Sequence, residues 1–441
     1  MEQRRKNLTQ LFIPICLETL LYMLSGMVDT LMLSSVNDQA VGAVGTANTY
    51  IGIFIIMFSV ISSGMVAVMT QNIGAGRPGV AYQARQLGLA FNAVLGIILS
   101  LILAFGAGTI LAGVGVADAL MQPARTYLQI VGGFCILNAL IPICSSYLRA
   151  FGFSKEPLYA SIIGNVINFC LNAFFLFVLH KGVAGVATAT VISRIINLVI
   201  VVLLGAVLVK AKKHPERESN RAVMGQIIRI GLPSACETAI YNVSMTLVIR
   251  FLNQMDAQGL NVTARSYTMQ ITNFSYCVGA ALAQANAIMT GWHIGAKEYD
   301  ACDRGTKKAA VIGVIVAVIL ETVFTLCSGW IMQLFSKDPQ MVSLVGKLLA
   351  IDIVLEIGRV TNLVYGQALK TSGDAVFPVV MGACFMILCS VGGTYLFGIR
   401  LGLLAVGAYI GMAGDECVRA VGMYLRWKSG KWKEKGLVKS R

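Results

Sequence analysis

Charge is what this 441-residue sequence lacks most. Lys, Arg, Asp and Glu make up 13% of it, against 56% hydrophobic residues. A water-soluble domain carries about 25% charged residues. Half that share cannot coat a soluble globule, so the chain reads as an integral membrane protein. Histidine is scarce too. His180, His214 and His293 fall at or near predicted helix ends, and no HExxH pair exists to hold a catalytic zinc. There is no GxxxxGK[ST] phosphate loop, which excludes ATP hydrolysis through that motif. There is no arginine ladder of the kind a voltage sensor needs. The 11 cysteines include no CxxC and nearly all stand singly in apolar runs, as small side chains compatible with lipid rather than a redox pair or metal clamp. No nucleophile stands beside a base. Neither an enzyme nor a bound cofactor is expected.

What is present is a succession of oily stretches. A membrane-spanning helix needs about 20 apolar residues. Twelve such stretches lie near 8–34, 43–72, 86–114, 126–149, 157–180, 183–209, 224–252, 262–291, 309–335, 342–369, 375–399 and 401–425. Arg4, Arg5 and Lys6 precede the first, which is too long for a signal-peptide core and reads as an uncleaved span. Basic residues recur at alternate connections (Arg77 and Arg85, Arg149 and Lys155, Lys210–Arg221, Lys297–Lys308, Lys370) and at both ends. The positive-inside rule then places both termini in the cytoplasm, consistent with an even number of spans. The net charge of +14 is thereby an orientation signal and not a nucleic-acid footprint. The tail "RWKSGKWKEKGLVKSR" reads as an anchor on anionic lipid.

The stretch "IPICLETLL" at 13–21 reappears as "LPSACETAI" at 232–240, its proline 219 positions on, from 14 to 233. "VMTQNIGAGR" (68–77) is echoed by "IMTGWHIGAK" (288–297). "YLRAFGFSKEP" (147–157) is echoed by "YGQALKTSGDAVFP" (365–378), and "KGVAGVA" (181–187) by "LGLLAVG" (401–407). Four ordered echoes at one period imply a tandem duplication. Six helices per copy bring both copies into the membrane from the same side. The expected fold is therefore all-α: twelve transmembrane helices in two parallel six-helix bundles, related by a pseudo-two-fold axis along the membrane normal, with a solute cleft between them. The expected segments are an N-terminal lobe at 1–209, a cytoplasmic linker at 210–223, a C-terminal lobe at 224–427 and a basic tail at 428–441.

Acids within such helices are costly, about 2.5–3.5 kcal/mol each at mid-membrane, and are functional candidates by default. Glu18 and Asp29 lie about three turns apart on one face of the first helix, as part of a wet path or as members of local ion pairs. Glu237 is the repeat counterpart of Glu18, whereas the counterpart position of Asp29 falls at Ile249 and Arg250. Asn168 and Asn172 share a face at i and i+4. With Thr188 and Thr190 they offer either oxygen ligands for a small hard cation or interhelical hydrogen-bond glue. Asp352, Glu356 and Arg359 stand together in the tenth stretch, where Glu356 and Arg359 can pair. Asp415 and Arg419 form an i, i+4 pair near the cytoplasmic end. Arg194 and Glu321 are lone mid-span charges.

The order and spacing of "GMVDT" with Asp29, "IGAGR" repeated as "IGAK", "LRAFG" and "DECVRA…RWKSGKW" resemble the multidrug and toxic compound extrusion (MATE) family of secondary transporters, over nearly the whole chain. The resemblance implies export of amphipathic, often cationic, compounds in exchange for sodium ions or protons. It implies a cation-coupling site at Asp29, Asn168 and Thr190, where sodium could bind transiently. Asn172 departs from the pattern, many members having Asp there. Glu237, Asp352 and Glu356 become candidates for substrate or proton handling, with Glu18 beside them. The implied partners are small-molecule substrates and the bilayer of the cell membrane, with the protein a monomer. The alternative is a flippase for lipid-linked precursors of the same superfamily, which a basic cavity would favour.

Overall fold

In a computed structural model the described residues are 6–35, 38–113, 116, 118–210, 215–256 and 259–438. Arg4, Arg5, Lys212, Lys213, His214, Lys439 and Arg441 lie outside them. Among the described residues all regular structure is helical. The chain runs α1 (Leu8–Ser34), α2 (Asp38–Gly74), α3 (Pro78–Gly113), α4 (Asp118–Tyr127), α5 (Ile136–Ala150), α6 (Lys155–Ala173) and α7 (Gly182–Leu208). It continues as α8 (Asn220–Met255), α9 (Leu260–Gly295), α10 (Tyr299–Leu326), α11 (Ser328–Met332), α12 (Pro339–Ser372), α13 (Val376–Phe385) and α14 (Leu404–Lys428). Short π-helical turns extend α4, α6 and α13.

Among the described residues, seven helical segments are long and apolar enough to cross a membrane: α1, α2, α3, α7, α10, the α6 segment through Val178 and the α13 segment through Arg400. The two halves of the 118–150 segment, bent by 43°, make an eighth if they form one span. Helices α8, α9, α12 and α14 are long enough but too polar for that test: charged residues interrupt the oily runs of α8, α12 and α14, and uncharged Asn, Gln, Ser, Thr and Tyr dilute that of α9. Along α10, Val311, Ile315, Ile319 and Val323 are exposed at every fourth position. A stripe of that kind is stable against lipid and not against water.

The chain divides into two compact units, Met1–Gly231 and Leu232–Arg441. In the first, Ala43, Ala47 and Phe58 of α2, Leu99 and Leu103 of α3, and Leu128 form a continuous core. In the second, Val248 and Leu252 of α8 pack with Leu348 and Leu349 of α12 and Tyr409 of α14. The division falls inside α8 and beyond the expected linker at 210–223. Residues just before it are tied to the first unit: Glu218 accepts from Arg77 at 2.7 Å, and Gln83 Nε2 donates to the Asn220 side chain at 2.6 Å. Helices α3, α8 and α10 start earlier than their apolar stretches suggest, since hydropathy marks only the part in hydrocarbon and a helix continues into water. The ninth stretch, expected at 309–335, instead ends at Leu326, and α11 follows as a separate turn.

The two tryptophans of the tail face inward. Trp427 and Trp432 are buried, stacked at 4.1 Å between ring centroids. Each indole N–H has an internal acceptor: Asp303 for Trp427 and the Trp427 carbonyl for Trp432, both at 2.9 Å. A buried indole needs such a partner. The exposed residues at this end are Lys428, Ser429, Lys431, Lys433 and Glu434, so the basic character of the tail stays at the surface while the tryptophans do not.

Candidate functional site

The second unit encloses a cavity of about 420 Å³. The helices too polar for the hydropathy test build it: α8 supplies Glu237, α9 supplies Arg265, α12 supplies Asp352, Arg359 and Lys370, and α14 supplies Asp415, Glu416 and Arg419. Four acids thus face four bases. Local geometry explains how α12 and α14 come so close. A Cβ on Gly358 would stand 2.7 Å from the Cys417 backbone nitrogen and 2.8 Å from the Glu416 carbonyl carbon, so only glycine permits the contact.

Most of these charges neutralise one another. Arg419 reaches Asp415 and Glu416, each at 2.8 Å. Arg359 donates to Glu356, one turn back on α12, and lies 3.7 Å from Glu416. Glu237 pairs with Lys370 at 2.6 Å. Asn362 donates to Glu416 at 3.0 Å and Ser390 to Asp415 at 2.9 Å. Asp415 and Arg419 form the expected i, i+4 pair, and both are buried and line the cavity.

Beside the cavity lies a second feature. Glu321 of α10 meets Asp352 and Glu356 of α12, all three buried, with one oxygen from each within 4.8 Å of the others. Oxygens that share a hard cation at about 2.4 Å each stand at most about 4.8 Å apart, so the spacing fits a shared ion. Glu321 lies near Ser275, but neither of its carboxylate oxygens makes a hydrogen bond of ordinary geometry. Asp352 has no ion pair among the described residues and its Oδ2 is unsatisfied, while the nearby Arg359 is engaged with Glu356 and Glu416.

In the first unit, Asn172 of α6 donates to Asp29 of α1 at 2.6 Å and to Asn168, one turn earlier, at 3.2 Å. These three residues, distant in sequence, come together. Thr190 does not join their hydrogen-bond chain; its hydroxyl donates to the Val186 carbonyl within α7. Arg194 is near enough for its charge to act on Asp29. Glu18, expected on the Asp29 face, is bound to Arg149 at the end of α5 at 2.6 Å. The duplicated glutamates therefore share an arrangement. Glu18 and Glu237 each pair with a base at the C-terminal end of a later helix of their own unit.

Sequence reasoning left Arg265 and Glu416 unremarked and gave Glu321 no partner. The available signal was the rule already applied to acids: a lone charge in an oily run needs an explanation, and "NVTARSYTMQ" contains one.

The MatE family model matches residues 14–174 and again 233–396. The chain belongs to the MATE family. The two matches begin at Pro14 and Pro233, the prolines that open the repeated fragment. This MATE protein is 34% identical over 431 residues to the uncharacterized transporter YisQ of Bacillus subtilis, covering 96% of this chain and 94% of that protein. It is 22% identical over 450 residues to the probable multidrug resistance protein NorM of Thermotoga maritima, covering 98% and 94% respectively. Its fold is similar to an outward-facing MATE family transporter of the MOP superfamily, at a TM-score of 0.84 and 18% identity over 98% of this chain and 96% of that one. A MATE crystal structure in the bent conformation gives 0.85 at 18% identity, over 97% and 96%. MATE proteins are multidrug efflux transporters and not enzymes, so this is a multi-pass membrane protein whose substrates are small molecules.

Proposed function

We propose that this MATE protein is a monomeric antiporter of the cell membrane, which exports amphipathic compounds in exchange for sodium ions or protons. It spans the membrane twelve times in two parallel six-helix bundles, with both termini cytoplasmic. The observation that carries the coupling is the Glu321, Asp352 and Glu356 cluster. Three carboxylates share one small buried volume, and only Glu356 has a bonded base. Uncompensated buried charge is expensive, so the cluster requires a counter-cation, which an ion gradient can supply. Asp29, Asn168 and Asn172, together with Thr190 of α7, are assigned as a second candidate cation site in the first unit. Glu18 and Glu237 act as ion-pair members.

In each cycle a cation taken from outside fills the acid cluster. This favours the packing that releases substrate outward, and loss of the cation inside readies the cavity for the next substrate. The flippase alternative called for a basic cavity. Here the basic groups are matched in number by acids, which favours the exporter.

Dye efflux from proteoliposomes tests this reading, first under an inward sodium gradient and then under an inward proton gradient. One gradient should drive dye movement, and dissipating it should stop the movement. Flux indifferent to both would defeat the reading.

A further inference from the structure

Among the described residues, Arg265 is the base lining the cavity that no acid answers. It is only 6% exposed, yet among the described residues it makes no ion pair. Among those residues the one polar contact of its guanidinium is a weak one, from Nη2 to the Met245 sulfur at 3.9 Å, and its Nε has no acceptor. A buried guanidinium without an anion is costly, more so because every other base lining the cavity has an acid bound to it. On the same cavity stands Asp352, an acid with no bonded base, and Tyr276 and Tyr409 add aromatic surface. The cavity thus presents one open positive and one open negative group beside rings.

We propose that Arg265 is an anion-binding subsite that receives a carboxylate of the transported compound. The substrates it selects are amphipathic zwitterions, with an aromatic body, a cationic nitrogen directed to Asp352 and a carboxylate on Arg265. This rests on the exporter reading above and narrows its substrate class. The guanidinium fork suits a carboxylate because it offers two parallel N–H donors. A compound that lacks the carboxylate leaves Arg265 desolvated and unanswered, a penalty that discriminates strongly between otherwise identical ligands.

Rhodamine 110, a zwitterion with a free carboxylate, and rhodamine 123, its methyl ester, isolate that one group. Binding of each to the purified full-length protein is read by fluorescence polarisation without any ion gradient. The wild type should bind the acid at least about tenfold more tightly than the ester. Arg265→Gln should abolish the preference by weakening the acid alone, and Arg265→Lys should restore part of it. Equal affinities, a preference for the ester, binding of neither dye, or a preference that survives in a folded Arg265→Gln protein would each overturn the proposal. If Arg265→Gln does not fold, the wild-type pair of dyes still decides. Repeating the titration in phosphatidylglycerol nanodiscs separates a lipid source of the anion: loss of acid binding there would assign Arg265 to a headgroup and also overturn it. Because no gradient enters the measurement, failure of ion coupling leaves this result standing, and the reverse also holds.

Discussion

The two units have kept one ionic feature in common and diverged in another. Each carries the Pro–x–x–x–Glu–Thr fragment, and in each the glutamate is tied to a base on a later helix of that unit, Glu18 to Arg149 and Glu237 to Lys370, both at 2.6 Å. Away from that pair they differ. The long helices of the first unit are apolar enough to span a membrane, α4 and α5 counting as one bent span, and its polar interior is the short chain Asp29–Asn172–Asn168. In the second unit α8, α9, α12 and α14 trade apolar residues for a buried ionic network around a cavity. The ion pair recurs in either half, and the polar interior around it is where the two differ.

The strongest contrast should appear in stability. Arg419→Gln leaves Asp415 and Glu416 buried without their base and should cost about 3–5 kcal/mol. Arg149→Gln releases Glu18, whose side chain is 17% exposed and can recruit water, and should cost about 1–3 kcal/mol. Thermal unfolding of both variants in detergent, followed by intrinsic fluorescence, ranks them. Equal losses would mean that the second unit's network is no more demanding than the first unit's single pair.

Transport should divide the units next. Asp352 has no bonded base, whereas Asp29 is held by a neutral amide. Asp352→Asn should lower cation-driven dye uptake into inverted vesicles about 100-fold. Asp29→Asn should lower it about tenfold, in line with about 3 and about 1.4 kcal/mol of lost ion binding. The opposite order would move the main coupling site into the first unit.

Much of this division was legible in the amino-acid order, and the illegible part has a consistent cause. Hydropathy exposed the oily stretches, and the repeat was visible because duplicated fragments keep their spacing. Asp29, Asp352 and Glu356 stood out because an acid in hydrocarbon has few bland explanations. Partners did not stand out. Glu18 and Arg149 lie 131 positions apart, and nothing local marks them as a pair. Glu321 looked isolated because its neighbours lie on another helix. Lys370 could be counted as a topology signal or as the counter-ion of Glu237, and composition does not separate the two. The tail tryptophans were ambiguous for a related reason: indoles are as suited to an interface as to a buried stack, and the acceptor that places Trp427, Asp303, lies on α10.

The smallest contrast concerns how helices begin. At the start of α1 the Asn7 backbone N–H donates to the Gln10 side-chain oxygen at 3.2 Å, a neutral arrangement. The start of α9 depends on a carboxylate. Asp256, in the turn after α8, accepts from the Leu260 backbone at 2.8 Å and from the Asn261 backbone at 3.0 Å. Partial burial alone would raise the Asp256 pKa, but the donors from Asn261 and Leu260 outweigh it and hold the carboxyl below the ordinary aspartate value of 3.8. A depressed folded-state value means the cap contributes fully above the unfolded pKa and is lost as pH falls through the lower, folded one. Hydrogen exchange at Leu260 and Asn261 should therefore stay slow from neutral pH down to about 4 and lose protection only below that, relative to the intrinsic rate at each pH. Asp256→Ala should remove the protection already at pH 7, by about 1 kcal/mol, and leave Gln10 and Leu11 at the start of α1 unaffected. If protection at α9 persists in the variant, backbone geometry and not the carboxylate holds that helix start, and the two units begin their helices alike.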